Sequence, residues 1–195
     1  MSAAREEILA RIRATERTPE PVVRAYRRSG ARSLEERIEL FCERISDYRA
    51  EVRRTTDVSR DADIGRLVVP PGLPVAWRPP HAFDDTGLTP RELDRVHGVL
   101  TGCSVAIAET GTIVLSGGPT EGRRALSLVP DVHVCVVYES QIVELVAEAI
   151  ERLDPRRPIT FISGPSATSD IELSRVEGVH GPRTLIVLVT PEERP

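Results

Sequence analysis

The sequence contains no lysine, so all 26 of its basic residues are arginines. This absence excludes Schiff-base and lysine general-base chemistry, and it excludes the lysine of a phosphate-binding P-loop. The three cysteines, Cys42, Cys103 and Cys135, form no CxxC pair, so they encode no iron–sulfur or structural zinc site and argue against a disulfide framework. Any bound anion must therefore be held by arginines, hydroxyls or backbone N–H groups.

Long apolar runs are also missing. No stretch of 18 apolar residues occurs, and the first residues are charged, so we expect neither a membrane span nor a secretory signal and place the protein in the cytoplasm. The net charge of −4 argues against nucleic acid as the main ligand. The four histidines show no HxH or HxxxH spacing, which argues against a metal site.

The 195 residues, 40% of them apolar, are enough for one domain with an appended arm. Residues 2–14 have a helical apolar stripe, whereas residues 15–32 are proline-containing and basic. This basic segment is either a solvated connector or an arm that docks on an acidic partner. We therefore predict an N-terminal helix and basic linker over 1–32 and an α/β domain over 33–195.

Two capping boxes mark predicted helix starts. Ser33 with Glu36 begins a helix whose apolar residues recur at spacings of three and four over 33–54. Thr89 with Glu92 begins a second helix that we expect to reach about Leu100. A third helix is predicted over 140–153.

Short, almost continuous apolar runs predict the strands. They alternate with helices, a pattern typical of an α/β domain with a mainly parallel sheet flanked by helices. The predicted strands are Arg66–Val69, Ser104–Ala108, Thr112–Leu115, Val132–Tyr138, Ile159–Ile162 and Leu185–Val189.

Three polar segments follow predicted strands, where open α/β sheets bind their ligands. In the first, Glu109 stands at a turn as a candidate base or nucleophile, and Thr110, Gly111 and Thr112 are candidate ligand-binding residues. The alternative is a hairpin whose polar tip caps its own backbone.

The second segment is a glycine loop followed by Arg123 and Arg124, which suit bidentate recognition of carboxylate or phosphate. A solvated surface pair is the competing interpretation. The spacing of Gly117 and Gly122 resembles a P-loop, but arginines stand where Lys and Ser/Thr are required.

The third segment runs from a buried strand into a Gly-Pro turn rich in hydroxyls. It supplies Asp170 as a candidate base, and its candidate ligand-binding residues are Ser163, Gly164, Ser166 and Thr168. The alternative is a turn that caps itself. Of the histidines, His180 is the better candidate for a cleft, whereas His133 alternates with Cys135 on a strand and is interpreted as a satisfied, half-buried residue.

Four blocks in these segments resemble the LUD domain, the lactate-utilisation protein C family also called LutC or YkgG. The blocks occur in the family's order over about residues 100–190. They are IAETGTIVL (Ile107–Leu115), RRALSLVPDVHV (Arg123–Val134), ISGPSATSDIE (Ile162–Glu172) and GVHGP (Gly178–Pro182).

The resemblance implies a NagB/RpiA/CoA transferase-like fold and a role beside two iron–sulfur partner proteins in the oxidation of L-lactate to pyruvate. We expect this chain to be a non-redox subunit that binds no cofactor of its own and holds a small carboxylate or phosphorylated ligand at strand carboxyl ends. One alternative is a stand-alone isomerase or acyl/CoA transferase that uses Glu109, because Glu109-Thr110-Gly111 is similar to the strand-end glutamate of CoA transferases. Another is a partner-binding module that docks through residues 17–32.

Overall fold

The computed structural model describes residues 3–14, 24–168, 176–178 and 180–191. Its helices are α1 (Ala3–Ala14), α2 (Leu34–Asp47), α3 (Val58–Asp61), α4 (Pro90–Leu93), α5 (Arg124–Leu128) and α6 (Val146–Glu151), with short 3₁₀ helices at Val75–Trp77 and Glu139–Gln141. Its strands are β1 (Glu51–Arg54), β2 (Leu67–Val69), β3 (Phe83–Asp84), β4 (Gly98–Thr101), β5 (Val105–Ile107), β6 (Thr112–Leu115), β7 (Val132–Tyr138), β8 (Ile142–Val143), β9 (Thr160–Ile162), β10 (Ala167–Thr168), β11 (Val176–Glu177) and β12 (Thr184–Thr190).

Within the described residues, six strands form a parallel central sheet in the order β1-β12-β7-β4-β2-β3. A second sheet has the order β8-β5-β6-β9, and there the pairs β5–β6 and β6–β9 are antiparallel. Strands β10 and β11 form a separate antiparallel pair. The chain is thus α/β with a mainly parallel central sheet flanked by helices, as the strand pattern predicts.

The central sheet is buried on both faces. One face packs against α2 and the second sheet through residues such as Phe41, Ile113 and Val187. The opposite face packs against α3 and the 3₁₀ helix that carries Trp77. Helix α6 covers the far side of the second sheet through Ala149. Burial on both faces explains why these strands are almost continuously apolar.

The predicted helix over 33–54 is too long. Both capping boxes form, and Ser33 starts α2 as expected, but α2 ends at Asp47 and Arg49 has a left-handed backbone (φ 68°). Val52 then lies in β1, paired with Val187 of β12. The helical spacing of Val52 is overruled by a pairing with a strand far along the chain.

The other two helix predictions are wrong at one end. Helix α4 stops at Leu93, and after a turn the chain enters β4 at Gly98, which is buried between β2 and β7. Helix α6 begins at Val146 rather than at residue 140, because Ile142 and Val143 pair with β5 as strand β8. The six predicted strands are present, with ends that differ by at most one residue.

Candidate functional site

A pocket of about 280 Å³ opens between β9 and the central sheet. Residues Phe161 and Ile162 of β9 form one wall, and Leu185 at the start of β12 forms another. We call it the hydroxyl pocket after its polar lining residues, which are Ser127, His133, Thr160, Ser163, Ser166 and His180.

The pocket meets the carboxyl end of β9 but the amino ends of β7 and β12. The expectation of a cleft at strand carboxyl ends therefore fits β9 alone. The physical reason is that β9 belongs to the second sheet, whose strand directions are set independently of the central parallel sheet.

Ser163 follows β9 directly and is joined by its hydroxyl to the β5–β6 turn. Its Oγ lies 2.7 Å from Oγ1 of Thr112, which in turn lies 2.7 Å from Oγ1 of Thr110. The antiparallel pairing of β6 with β9 sets this contact, because Ile113 is opposite Ile162. Three of the predicted ligand-binding residues are thus connected, and of these Ser163 lines the pocket.

Ser166 holds the loop that carries His180. Its backbone N–H donates to the Pro182 carbonyl (2.8 Å), and its carbonyl accepts from the Gly178 N–H (2.9 Å). Its Oγ accepts from the His180 backbone N–H (3.0 Å). The predicted residues Ser163, Gly164, Ser166 and His180 therefore converge on one pocket, although they come from two separate sequence blocks.

His133 is a pocket residue that the sequence interpretation did not place in a site. It is 1% exposed, and its Nε2 lies 2.8 Å from Oγ1 of Thr101 on the neighbouring strand β4. Strand alternation alone could not place it in a pocket, because the pocket's opposite wall comes from the second sheet. Its position at the amino end of a buried strand was the one available signal.

Behind His133 lies a buried pair of thiols. The neighbouring Cys103 thiol, together with His133 and Thr101, lowers the pKa of Cys135. The pKa of Cys103 is raised because it is hydrogen-bonded to Cys135 and buried. Both thiols are free, and both belong to the core between the central sheet and α2.

Glu109 lies at the tip of the β5–β6 turn, outside the described lining of the hydroxyl pocket. Its carboxylate forms an ion pair with Arg27, and both side chains are about half exposed. In the same turn, Gly111 has a φ of 57° and packs against the backbone of α2. The hairpin is therefore fixed in place by α2, and Glu109 projects from it toward the N-terminal segment.

Arg123 is engaged in an ion pair within the fold. Its Nε and Nη2 donate to the two carboxylate oxygens of Asp85 at 2.6 and 2.9 Å, and Nη2 also donates to the Leu88 carbonyl. This guanidinium lowers the pKa of Asp85. Arg124 is exposed at the start of α5. Neither arginine lines the hydroxyl pocket as described.

Two further predicted residues, Thr168 and Asp170, are not among the described residues of the pocket. Asp170 lies outside the described residues. The backbone of Thr168 belongs to β10 and pairs with Val176 of β11. Within the part of the chain that is described, no group of three or more His, Cys, Asp and Glu side chains is gathered to hold a metal ion.

Glu121 is a buried carboxylate that the sequence interpretation did not single out. It is 4% exposed and accepts hydrogen bonds from Ser104 Oγ (2.5 Å) and from the backbone N–H groups of Ser116 and Gly118 (2.5 and 3.0 Å). These contacts close the glycine loop after β6 on itself. They give that loop a structural explanation in place of phosphate binding.

The fold and the pocket together define the class of protein. The LUD domain family model matches residues 83–190, a span that includes every described residue of the hydroxyl pocket. The chain belongs to the LUD domain family, as its sequence blocks predict.

Two similar proteins differ in how they are named. A lactate utilization protein C from Deinococcus radiodurans is 48% identical over 163 residues, covering 76% of this chain and 77% of the relative. YkgG from Escherichia coli, an uncharacterized protein, is 40% identical over 91 residues, covering 43% of this chain and 39% of that protein.

A solved structure is also similar. The crystal structure of a DUF162 family protein from Deinococcus radiodurans has a TM-score of 0.70 and 38% sequence identity to this chain. The similarity covers 82% of this chain and 99% of that chain.

Proposed function

We propose that this chain is a lactate utilization protein C-like subunit of a system that oxidises L-lactate to pyruvate, and that the hydroxyl pocket binds a small anionic ligand of that system. The 48% identity to a protein of that name supports the first part. The convergence of Ser163, Ser166 and His180 on one pocket carries the second part.

The pocket is suited to a small polar ligand. Its volume of about 280 Å³ is at the lower limit for small-molecule sites, which typically measure about 300–1,000 Å³. Its hydroxyls and imidazoles lie beside apolar walls from Phe161 and Leu185. A few polar groups set in an apolar wall are the usual composition of a specific binding site.

In this proposal the electron transfer belongs to two iron–sulfur partner proteins, and this chain binds no cofactor. The sequence has no CxxC motif, so the clusters are assigned to the partners. The contribution of this chain is to bind and position a small carboxylate or phosphorylated molecule.

The experiment is growth on L-lactate in a bacterial host whose own lactate utilization protein C gene has been deleted. We expect the wild-type chain to restore growth and Ser166→Ala to reduce it severalfold, because the variant loses a pocket hydroxyl and the anchor of the His180 loop. Ser140→Ala, at an exposed position, is the matched control. Full growth with Ser166→Ala would contradict a function for the pocket.

Glu109→Gln separates this proposal from the stand-alone enzyme. Glu109 pairs with Arg27 rather than lining the pocket, so the variant should support growth as well as wild type does. Loss of growth with normal stability would favour the Glu109-dependent isomerase or transferase instead. A version lacking residues 1–32, tested by pull-down with the two iron–sulfur partners, shows whether the basic segment provides the docking surface.

A further inference from the structure

The charge of the hydroxyl pocket has few possible sources. Among the described residues that line it there is no arginine and no carboxylate, and the chain has no lysine at all. The nearest charged pair, Arg183 with Asp131, lines an open groove outside the pocket, and the two are already bonded to each other at 2.6 Å. Among the described lining residues, His133 and His180 are therefore the side chains that can carry a positive charge.

The two imidazoles occupy different positions. His180 is exposed and lines both the pocket and the outer groove, so it stands at the entrance. His133 is 1% exposed and lines the pocket from the amino end of β7, so it forms the floor. A ligand that passes His180 meets His133 as the innermost polar side chain of the sheet wall.

A hydrogen bond with Thr101 fixes the orientation of the His133 ring. Nε2 of His133 is 2.8 Å from Thr101 Oγ1, and the Thr101 hydroxyl is oriented to donate to Cys135 Sγ at 3.9 Å. Thr101 therefore holds the ring at Nε2, and Nδ1 is the second ring nitrogen that can form a hydrogen bond with a ligand. A buried ring whose orientation is set from behind is a preorganised contact for a ligand.

We infer that His133 is the ligand-contacting group of the hydroxyl pocket and that it binds the carboxylate of a short-chain monocarboxylic acid, an inference that rests on the proposed function's assignment of the pocket as a binding site. Through an N–H at Nδ1, the His133 ring donates a hydrogen bond to one carboxylate oxygen. Ser166 supplies the second contact, because its Oγ already accepts from the His180 N–H and its own proton remains free to donate.

The same lining disfavours a phosphorylated ligand. Phosphate groups in proteins are held by arginines or by several backbone N–H groups at a helix N-terminus. The described lining has no arginine, and Arg123 is held by Asp85. An imidazole with neighbouring hydroxyls offers the few hydrogen-bond donors that one carboxylate accepts.

The test is calorimetric titration of the full-length protein with L-lactate, pyruvate, acetate and inorganic phosphate. We expect the carboxylates to bind and His133→Gln to weaken that binding about tenfold or more, since Gln can still bond Thr101 but lacks the second ring nitrogen that contacts the ligand. His81→Gln, at an exposed position outside the pocket, should bind as wild type does. Tighter binding of phosphate than of the carboxylates would overturn the ligand class.

Thr101 provides a positioning control. Thr101→Val should weaken carboxylate binding, and Thr101→Ser should restore most of it, because Ser keeps the hydroxyl that faces Nε2. Loss of binding in both variants with equal loss of stability would instead mean that Thr101 supports only the core.

A measurement on the wild-type protein guards against variants that fail to fold. With histidine rings labelled for NMR, L-lactate at about 10 mM should shift the ring signals of His133 and leave those of His81 in place. Unchanged His133 signals together with measurable lactate binding would overturn this inference but not the proposed function. If no carboxylate binds wild type, both this inference and the ligand part of the proposed function fail, while the growth assay still tests the role in lactate utilisation.

Discussion

Single residues determine how closely the elements behind the pocket wall can pack. Gly111 is one example, because the β5–β6 turn passes so close to α2 that a Cβ at this position would lie 2.5 Å from the Ile45 backbone nitrogen. Its φ of 57° is also one that residues with a side chain avoid. Two separate physical constraints therefore require glycine at this position.

We predict that Gly111→Ala lowers the free energy of unfolding by about 3 kcal/mol, of which the left-handed backbone accounts for about 1 and the clash with α2 for the rest. Chemical denaturation measures it. Gly87→Ala is the matched control, since Gly87 also has a positive φ (94°) but has nothing within 4 Å of the added Cβ. Equal losses in the two variants would show that the contact with α2 is unimportant.

The cysteines give a second prediction at this scale. Cys42 is partly exposed, although burial raises its pKa, whereas Cys103 and Cys135 are 4% and 0% exposed. In the native protein at pH 8, iodoacetamide should label Cys42 alone, and in concentrated urea all three cysteines should react. Mass spectrometry counts the labels. Native labelling of Cys135 as fast as that of Cys42 would contradict the closed core between the two sheets.

At the scale of elements, ion pairs between distant segments hold loops against the sheets. Asp85 follows β3 and is bound by Arg123 just before α5, so this pair ties the edge of the central sheet to α5. Asp85 is 7% exposed at its side chain, and its pKa is lowered by Arg123 from an ordinary value of 3.8.

Because the folded pKa of Asp85 is lowered, the pair stabilises the fold above pH 3.8 and loses that contribution as the pH falls further. Arg123→Ala should therefore cost about 1 kcal/mol at neutral pH and progressively less below pH 3.8. Urea titrations across this range test it, with Arg91→Ala on exposed α4 as the control. A stability difference that does not change with pH would contradict the assignment.

The segment 24–33, which we call the strap, is held by the folded domain's own acids. Arg32 donates from its backbone N–H (2.8 Å) and from Nη1 (2.6 Å) to the carboxylate of Glu144, which is 3% exposed. The Gly30 N–H donates to Glu148 at 3.2 Å, and Arg27 pairs with Glu109. The described part of the basic segment is thus more than a solvated connector.

We predict that Arg32→Ala loosens the strap and raises the rate of chymotrypsin cleavage after Tyr26 severalfold. The Tyr26 side chain is already 72% exposed, so the cleavage rate depends on how readily the strap backbone detaches from the domain. Raising the salt concentration should accelerate cleavage of wild type in the same direction. Arg28→Ala, at an exposed strap position, is the control. Unchanged cleavage in Arg32→Ala would show that Glu144 does not hold the strap.

At the scale of the whole molecule, two sheets of different type meet and leave the hydroxyl pocket at one end of their interface. The central sheet supplies His133 and Leu185, and the second sheet supplies Thr160 and Phe161. The proposed ligand site is therefore a product of how the sheets pack.

Among the described residues, no helix is both long enough and apolar enough to cross a membrane.

The sequence by itself determined the fold class, six of the twelve strands that the structure describes, and the family. Short apolar runs, capping boxes and four ordered motifs depend on local chemistry, so they can be read without knowing what packs against what. The same applies to Ser163, Ser166 and His180, whose motifs are polar turns beside buried strands.

Only the tertiary structure decided where helices stop and which polar residues share a site. Val52 has helical spacing but pairs with Val187, and His133 alternates as a core residue but faces a pocket completed by β9. Glu109 and Arg123, attractive as isolated groups, are bound by Arg27 and Asp85 from distant segments. The physical reason is the same in each case. The partner lies tens of residues away in sequence, and no local pattern shows which residue it will be.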